Sequence, residues 1–265
     1  MGKPFLCLNM AKKRTKKTTI RKKKKTNYVW LVIPLLILCF GGFILYKINV
    51  FLNKQQAVAI KKEILYNIPK GFPAFGIDVS HHQGKVDWYR IFQQEGYDSI
   101  IHFVYCKATE GGDHCDTQWD YNRKTLLKLK VPHGAYHFFL PKKDPIIQAK
   151  HFLNTWKKSD YDLPPVLDVE RNARTDQDLI AAMKKWLFYV EAETGMRPII
   201  YTSSYYFDSK FQHDFKNYKF WIAAYSKKPE SIEDSRIIHW QFSEKGNLPG
   251  CATRLDFNVS KISIY

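Results

Sequence analysis

Four carboxylates stand at or near the ends of short apolar runs: Asp78 in FGIDVSHHQG, Asp168 and Glu170 in PPVLDVE, and Asp256 in RLDFNVS. An ionised carboxyl in such a run is costly to bury unless it is paired or put to use. In D-x-E on a strand, the period of two puts Asp168 and Glu170 on the same side, roughly 6.6 Å apart along the backbone. Both can then point into one cleft. Clustered like charges raise at least one pKa, and a carboxyl kept protonated near neutrality can serve as a general acid. A pair of carboxyls in these two states is what glycoside hydrolysis requires. For one D-x-E taken alone, a salt-bridged strand end is the plainer alternative.

Other chemistries fit less well. His81 and His82 follow Asp78 closely enough to suggest a metal site with Asp78 or Asp168 as further ligands. Adjacent histidines on an extended chain diverge, however, and no H-x-x-x-H or H-x-H completes a ligand set. No metal and no cofactor are expected. Ser80 and Ser203 lack a G-x-S-x-G elbow, and Cys106 sits in an apolar run as a core residue would. Aromatic residues recur beside the carboxylates. Tyr136, Tyr201, Tyr225 and Trp240 fall at the carboxyl ends of expected strands, where flat rings could stack on the apolar faces of sugars, and core packing is the alternative. Gln241 adds an amide able to bond hydroxyl or acetamido groups.

The elements that must position these groups are legible from periodicity. Eight β-rich segments follow residue 72: Phe75–Val79, Ile100–Lys107, Gly134–Phe139, Pro165–Val169, Pro198–Tyr201, Phe220–Ala224, Ile237–Phe242 and Arg254–Val259. Helical stretches lie between the first five. Val86–Glu95 puts Trp88, Ile91 and Phe92 on one face. Thr117–Lys130 fits a helix. Asp144-Pro145 reads as a cap followed by proline at the first helical position, with Ile146, Ala149, Leu153 and Trp156 at helical spacing. Gln177–Thr194 carries Leu179, Met183, Trp186, Leu187 and Val190 on one stripe, with Gly195 as stop. Strand and helix alternation predicts parallel βαβ units. After the fifth strand the connections Thr202–Lys219, Lys227–Arg236 and Ser243–Thr253 become irregular. The expectation is an α/β barrel whose last three strands are joined by loops and whose reacting groups sit at the strands' carboxyl ends.

The amino-terminal part is built differently. The chain of 265 residues carries a net charge of +17, yet residues 1–62 hold 15 basic residues and no acid, leaving the remainder at only +2. This partition argues against a nucleic-acid-binding protein, for which the basic residues would belong to the folded part. Tyr28–Tyr46 is uncharged over nineteen residues, roughly 28 Å of helix and enough to cross a bilayer. Tyr28, Trp30 and Tyr46 flank it, and the lysine-rich run Lys12–Lys25 precedes it, so the positive-inside rule keeps residues 1–27 in the cytoplasm and exports the rest. Ala57-Val58-Ala59 resembles a signal-peptidase site but lies too far beyond the apolar run. Leu36-Ile37-Leu38-Cys39 resembles a lipobox only loosely, and Met10 is an alternative start. An uncleaved single-pass anchor is the favoured reading. The expected organisation is a basic tail (1–27), an anchor (28–46), a stalk (47–71) and a catalytic domain (72–265). The five cysteines fit no metal or redox spacing. Cys106 and Cys115 could pair outside the cytoplasm, or both could remain thiols.

Taken in order, GIDVSHHQGKVDW (76–88), KATEGG (107–112), HGAYHFF (133–139), PPVLDVE (164–170), PIIYTS (198–203), FWIAAY (220–225), HWQFS (239–243) and RLDFNV (254–259) resemble a glycoside hydrolase family 25 lysozyme. The resemblance spans about residues 72–265. It implies a flattened TIM-like barrel of five βα units and three further strands. It also implies N-acetylmuramidase activity, cleaving the β-1,4 bond between N-acetylmuramic acid and N-acetylglucosamine in peptidoglycan glycan strands. By motif, Glu170 is the general acid, Asp168 its partner in stabilising developing charge, and Asp78 and Asp256 resemble the two further acids of that cleft. A membrane-tethered glycan-binding module without catalysis is the rival, and the retained carboxylates argue against it.

Overall fold

The computed structural model describes residues 29–92, 100–159, 162–225, 228 and 230–263. The basic tail, Cys7, Met10, Tyr28 and residues 93–95 of the expected Val86–Glu95 helix lie outside the described residues. The chain forms two compact units that meet in sequence between Asn49 and Val50.

The first helix, α1, runs Val29–Asn67. Among the described residues it is the one helix long and apolar enough to cross a membrane. Its most apolar stretch has a mean hydropathy of 2.5, and none of that stretch is buried. From Val50 onward α1 belongs to the second unit, where Ile64 is buried in the core and Ile68 packs against it.

All eight expected strands are present, with ends shifted by at most four residues. They are β1 (Ala74–Val79), β2 (Ile101–Glu110), β4 (His133–Phe138), β5 (Val166–Asp168), β6 (Ile199–Ser203), β7 (Lys219–Ala223), β8 (Ile237–Gly246) and β9 (Leu255–Ser260). A further two-residue strand that the sequence pattern does not announce, β3 (His114–Cys115), pairs with the end of β2. The order β1-β9-β8-β7-β6-β5-β4-β2-β3, together with a β1–β2 pairing, closes the eight strands into a barrel and leaves β3 at its rim. Neighbours from β1 through β2, β4, β5, β6 and β7 to β8 are parallel, whereas β9 is antiparallel to both β8 and β1. The carboxyl ends of the parallel strands and the amino end of β9 therefore share one face.

Of the remaining helices, α2 (Trp88–Phe92), α3 (Trp119–Leu129), α4 (Pro145–Trp156) and α5 (Asp176–Thr194) cover the barrel, and short helical turns at Ser204–Tyr206 and Phe207–Phe211 follow β6. Capping fixes where they begin. The Asp144 carboxylate accepts from the backbone N–H groups of Ile146 and Ile147, and the Thr175 hydroxyl accepts from Asp178 N–H, satisfying donors that the first helical turn leaves free. The α5 stripe Leu179, Met183, Trp186, Leu187 and Val190 is buried as its spacing predicts. On α4 the buried face is Gln148, Ala149, Phe152 and Trp156, with Leu153 half-buried beside it.

Inside the barrel a separate cluster forms from Ala74, Phe103, Tyr105, Val166, Ile199, Tyr201, Trp221 and Ile238. Two glycines make room for it. Gly76 pairs with Phe103 and Gly134 with Tyr105, and a Cβ on either glycine would fall within 2.5 Å or 2.1 Å of the facing ring. Only glycine lets these rings lie flat across neighbouring strands.

Cys106 and Cys115 both carry free thiols. Cys106 faces the outer core, and Cys115 is exposed and pairs with Thr109 on β2. Three strand residues separate Thr109 from Cys106, roughly 10 Å, beyond disulfide reach.

Candidate active site

The four carboxylates reach one place by different routes. Asp78 is the fifth residue of the six-residue β1, and Asp168 ends β5. Glu170 follows two residues later on the same side. Asp256 is the second residue of β9, and because β9 runs against its neighbours it lands directly opposite Asp78. All four line a cleft of about 220 Å³ whose other walls are Tyr136, Val166, Tyr201, Trp221, Tyr225, Gln241 and Glu244.

Asp78 is buried and held by two amides. Gln241 Nε2 donates to its Oδ2 at 2.8 Å and Asn258 Nδ2 donates to the same oxygen at 2.7 Å. The oxygens of both amides are engaged in turn. Tyr201 and Tyr225 hydroxyls donate to Gln241 Oε1 at 2.7 and 2.6 Å, and Trp221 Nε1–H donates to Asn258 Oδ1 at 2.9 Å. The indole N–H can only donate, so Asn258 must turn its NH2 to the carboxylate, while the two hydroxyls match the oxygen of Gln241. The network freezes the Asp78 side of the cleft before any substrate arrives.

Burial pushes all four acids up, and repulsion from neighbouring carboxylates adds to it for Asp78, Asp168 and Asp256. Burial is the largest cause for each. For Asp78 the charge of Asp256 adds to it, while the two amide hydrogen bonds oppose it. Asp168 rises well above the ordinary range, driven further by Glu170 and opposed by Lys107. Asp256 is raised to about 6, with Glu244 and Glu170 contributing. Glu170 is raised by burial against the opposing charges of Arg171 and Lys107. Glu170 is exposed in the open cleft and Asp168 is only 6% exposed. The arrangement thus sets a carboxyl that a ligand can touch beside a recessed one that burial raises further.

The aromatic residues divide. Tyr225, 48% exposed, and the half-buried Tyr136 present ring surface to the cleft. Tyr201 lines it too but is buried, its hydroxyl tied to Gln241. Trp240 does not belong to the cleft. Strand alternation turns it outward where Gln241 turns inward, and it packs against Phe72 and Phe242 while donating to Ala224 O. Gln241 is in the wall, and its amide joins Asp78 to the two tyrosines.

Three contributors go beyond the residues singled out from sequence. Asn258 stands two residues after Asp256 and Trp221 pairs with Tyr201 across β6 and β7, so strand periodicity could have found both. Glu244 could not be found that way, because β8 continues past irregular pairing at Gln241/Ser243 and Ser243/Gly246. His81 is occupied elsewhere, its Nδ1 lying 2.8 Å from Asp116 Oδ2. No cluster of three potential metal-binding side chains occurs among the described residues.

The comparisons agree with this geometry. Residues 77–251 match the family model of glycosyl hydrolases family 25. The protein YegX of Escherichia coli K12 is 32% identical over 199 residues, covering 75% of this chain and 73% of that protein. Lysozyme M1 of Streptomyces globisporus is 28% identical, covering 69% and 66% of the two chains. A family 25 glycosyl hydrolase from Bacillus anthracis superposes with a TM-score of 0.66 at 26% identity, covering 73% of this chain and 91% of that one. With the carboxylate-lined barrel mouth and a family match over most of its length, this chain belongs to glycosyl hydrolase family 25.

Proposed function

We propose that the barrel is an N-acetylmuramidase that hydrolyses the β-1,4 bond between N-acetylmuramic acid and N-acetylglucosamine in peptidoglycan. The observation that carries this reading is the convergence of Asp78, Asp168, Glu170 and Asp256 at one barrel mouth in a member of this hydrolase family. Incubating the protein with purified peptidoglycan should release fragments that end in reducing N-acetylmuramic acid. Reducing N-acetylglucosamine would make it a glucosaminidase, and binding without new reducing ends would make it a glycan-binding module.

In the proposed mechanism Glu170, open to the cleft, protonates the leaving glycosidic oxygen. Asp168 and Glu170, two apart on one strand side, are poorly placed to flank a sugar from opposite faces as a direct nucleophile and acid would. The substrate's own acetamido oxygen therefore attacks the anomeric carbon, giving a cyclic oxazolinium whose positive charge the Asp168 carboxylate orients and stabilises. Glu170, now ionised, takes a proton from the water that opens this ring, and the configuration is retained. Asp78 and Asp256 complete the acidic wall, and Tyr136 and Tyr225 offer ring faces to the glycan. Observing by NMR the anomer formed first tests the route. A first-formed β-anomer supports it, and an α-anomer would instead require an inverting water.

The apolar part of α1 serves in this reading as an uncleaved single-pass anchor in the cytoplasmic membrane, with residues 1–27 in the cytoplasm and the barrel on the far side, where peptidoglycan lies. The lysine run before the span supports that orientation. A reporter active only after export, fused behind Tyr66, should give signal. Signal from a cytoplasm-only reporter at that position would reverse the topology.

A further inference from the structure

A groove of about 470 Å³ opens where β8 passes into β9, lined by Lys245, Asn247, Ala252, Thr253 and Arg254. Strand pairing sets it beside the catalytic cleft. β8 pairs regularly with β9 as far as Gln241 and Asn258, then slips at Gln241/Ser243 and again at Ser243/Gly246. A bulge of this kind re-aims side chains next to a site. Here Glu244 stands in the cleft wall and its neighbour Lys245 in the groove. Arg254 precedes Asp256 by two residues, roughly 7 Å of backbone. Each strand therefore carries a cation into the groove within two residues of an acid in the cleft. The wall that bears Arg254 is pinned to the barrel. Arg254 O accepts from Gln83 Nε2 at 3.1 Å, and Gln83 Oε1 accepts from the N–H of Ser80, two residues beyond Asp78, at 2.8 Å. Gly250 O accepts from Asp87 N–H at 2.8 Å. All five lining residues are exposed and no acid is among them. Lys245 and Arg254 hydrogen-bond through their backbones, and among the described residues neither side chain has a carboxylate partner.

We propose that this groove is a subsite for the carboxylates of the peptide that peptidoglycan carries on its N-acetylmuramic acid residues, with Lys245 and Arg254 pairing the acids and Asn247 and Thr253 meeting the peptide amides. The inference rests on the muramidase reading and adds a preference for peptide-bearing strands. Charge complementarity carries it. The cleft holds five carboxylates, Asp78, Asp168, Glu170, Glu244 and Asp256, and their field repels an acidic substituent drawn in with its sugar. The sugar chain itself is neutral, so the substituent is the part that must be led away. Two unpaired cations immediately outside the wall do that and supply opposite charge at short range. Arg254 can grip a carboxylate through two parallel N–H donors, and Lys245 acts as a point charge. Lys245 and Asn247 also border a second cavity, against α1, in whose wall Glu63 stands. The side of the groove that bears Arg254 is therefore the one assigned to the anion.

The test uses the full chain in detergent and soluble, uncross-linked glycan–peptide strands free of phosphate polymers, compared with the same strands after their peptide carboxylates have been converted to amides. Lys245→Gln, Arg254→Gln and the two together should raise KM on the acidic strands. For the pair the rise should be roughly three- to tenfold, as two exposed charge pairs allow, and it should fall in KM rather than kcat. Arg254→Glu should raise KM further than Arg254→Gln. On the amidated strands the penalty should vanish, and on the acidic strands it should shrink as salt is added. An equal penalty on both substrates, no penalty on either, or a loss confined to kcat overturns the proposal. A penalty that appears only with a phosphate-bearing polymer left attached overturns it too, because the groove would then serve phosphate. The parent protein separates this result from the reading beneath it. If the parent frees no reducing N-acetylmuramic acid from either substrate, the muramidase reading itself falls. If it does, and the variants match it on both, only the groove assignment falls.

Discussion

The floor and the mouth of the barrel are built from the same strands and differ by a two-residue step along each. On β1 that step runs from Gly76 to Asp78, on β2 from Tyr105 to Lys107, on β5 from Val166 to Asp168 and on β6 from Ile199 to Tyr201. The floor is a stack of rings, with Tyr105 and Trp221 5.1 Å apart and Phe103 and His239 5.2 Å apart. His239 is held neutral there, its pKa pushed down to about 3 by burial. The mouth crowds four carboxylates into a partly desolvated space, and all four are pushed toward their protonated forms. Removal of apolar area from water stabilises the first region, whereas desolvation and like charge destabilise the second. The difference teaches that stability and chemistry are layered along the barrel axis, so substitutions in the two layers should separate them.

The largest effect is expected at the mouth. Glu170→Gln keeps the shape and removes the proton donor, and general acid catalysis is worth roughly 10²–10⁴-fold. Activity should fall by that order while the melting temperature and glycan binding persist. A variant retaining more than about a tenth of the rate would place the acid on another carboxyl and dissolve the contrast between the layers.

The floor should respond in the opposite way. Phe103 is fully buried inside the barrel, and Phe→Ala in a core costs about 3–5 kcal/mol. Phe103→Ala should lower the unfolding free energy by that much, while the turnover of the protein that remains folded stays near the parent's. Denaturant unfolding together with active-site titration measures both. A matching loss of turnover per folded molecule would show that floor and mouth are not separable.

Outside the barrel, Ile64 on α1 is 4% exposed and belongs to the outer core. Ile64→Ala is expected to cost on the order of 2 kcal/mol, and a barrel beginning at residue 72 should unfold earlier than one beginning at Val50. Equal unfolding midpoints for the two lengths would return this stretch to the role of a passive stalk.

How much of this was legible in the sequence follows from which interactions are local. Strand periodicity located the eight barrel strands and the four acids, because alternation and turn residues are written within a few positions of each other. The pairing of β9 was not legible. Nothing local says that Asp256, near the start of its strand, meets Asp78 near the end of another; only the antiparallel closure does. Trp240 and Gln241 show the same limit from the other side. They are adjacent in the middle of β8, and which one faces the cleft is decided by register. The burial of Ile64 is a tertiary contact made by a helix whose sequence reads as a stalk. Lys107 carried a usable signal, a single cation in the apolar run IHFVYCKA, but its contact with the Phe138 ring on β4 did not.

The smallest effect concerns the stability that the crowded mouth gives up. Asp256 ordinarily titrates near 3.8 and is raised to about 6 in the folded protein, so the folded state holds its proton more tightly than the unfolded chain does. Its contribution is therefore fully present below pH 4 and is lost as pH rises through about 6. Asp256→Asn removes that dependence, so the two proteins should respond to pH in parallel below pH 4 and diverge between pH 4 and 6. Above pH 6 the variant should hold an added advantage. Discounted for the partial exposure of the group, this amounts to on the order of 1 kcal/mol, or about 2–4 °C in melting temperature for a domain of this size. Melting curves for the pair across pH 3.5–8 measure it. Asp168 titrates in both proteins and largely drops out of the difference, whereas Asp78, relieved of the Asp256 charge in the variant, adds to the same advantage at higher pH, so parallel curves across the whole range would mean that Asp256 is not strained. A gap that opened as pH fell would assign it a folded pKa below the ordinary one, and the mouth would then be stabilised by its charges rather than by the ring stack beneath it.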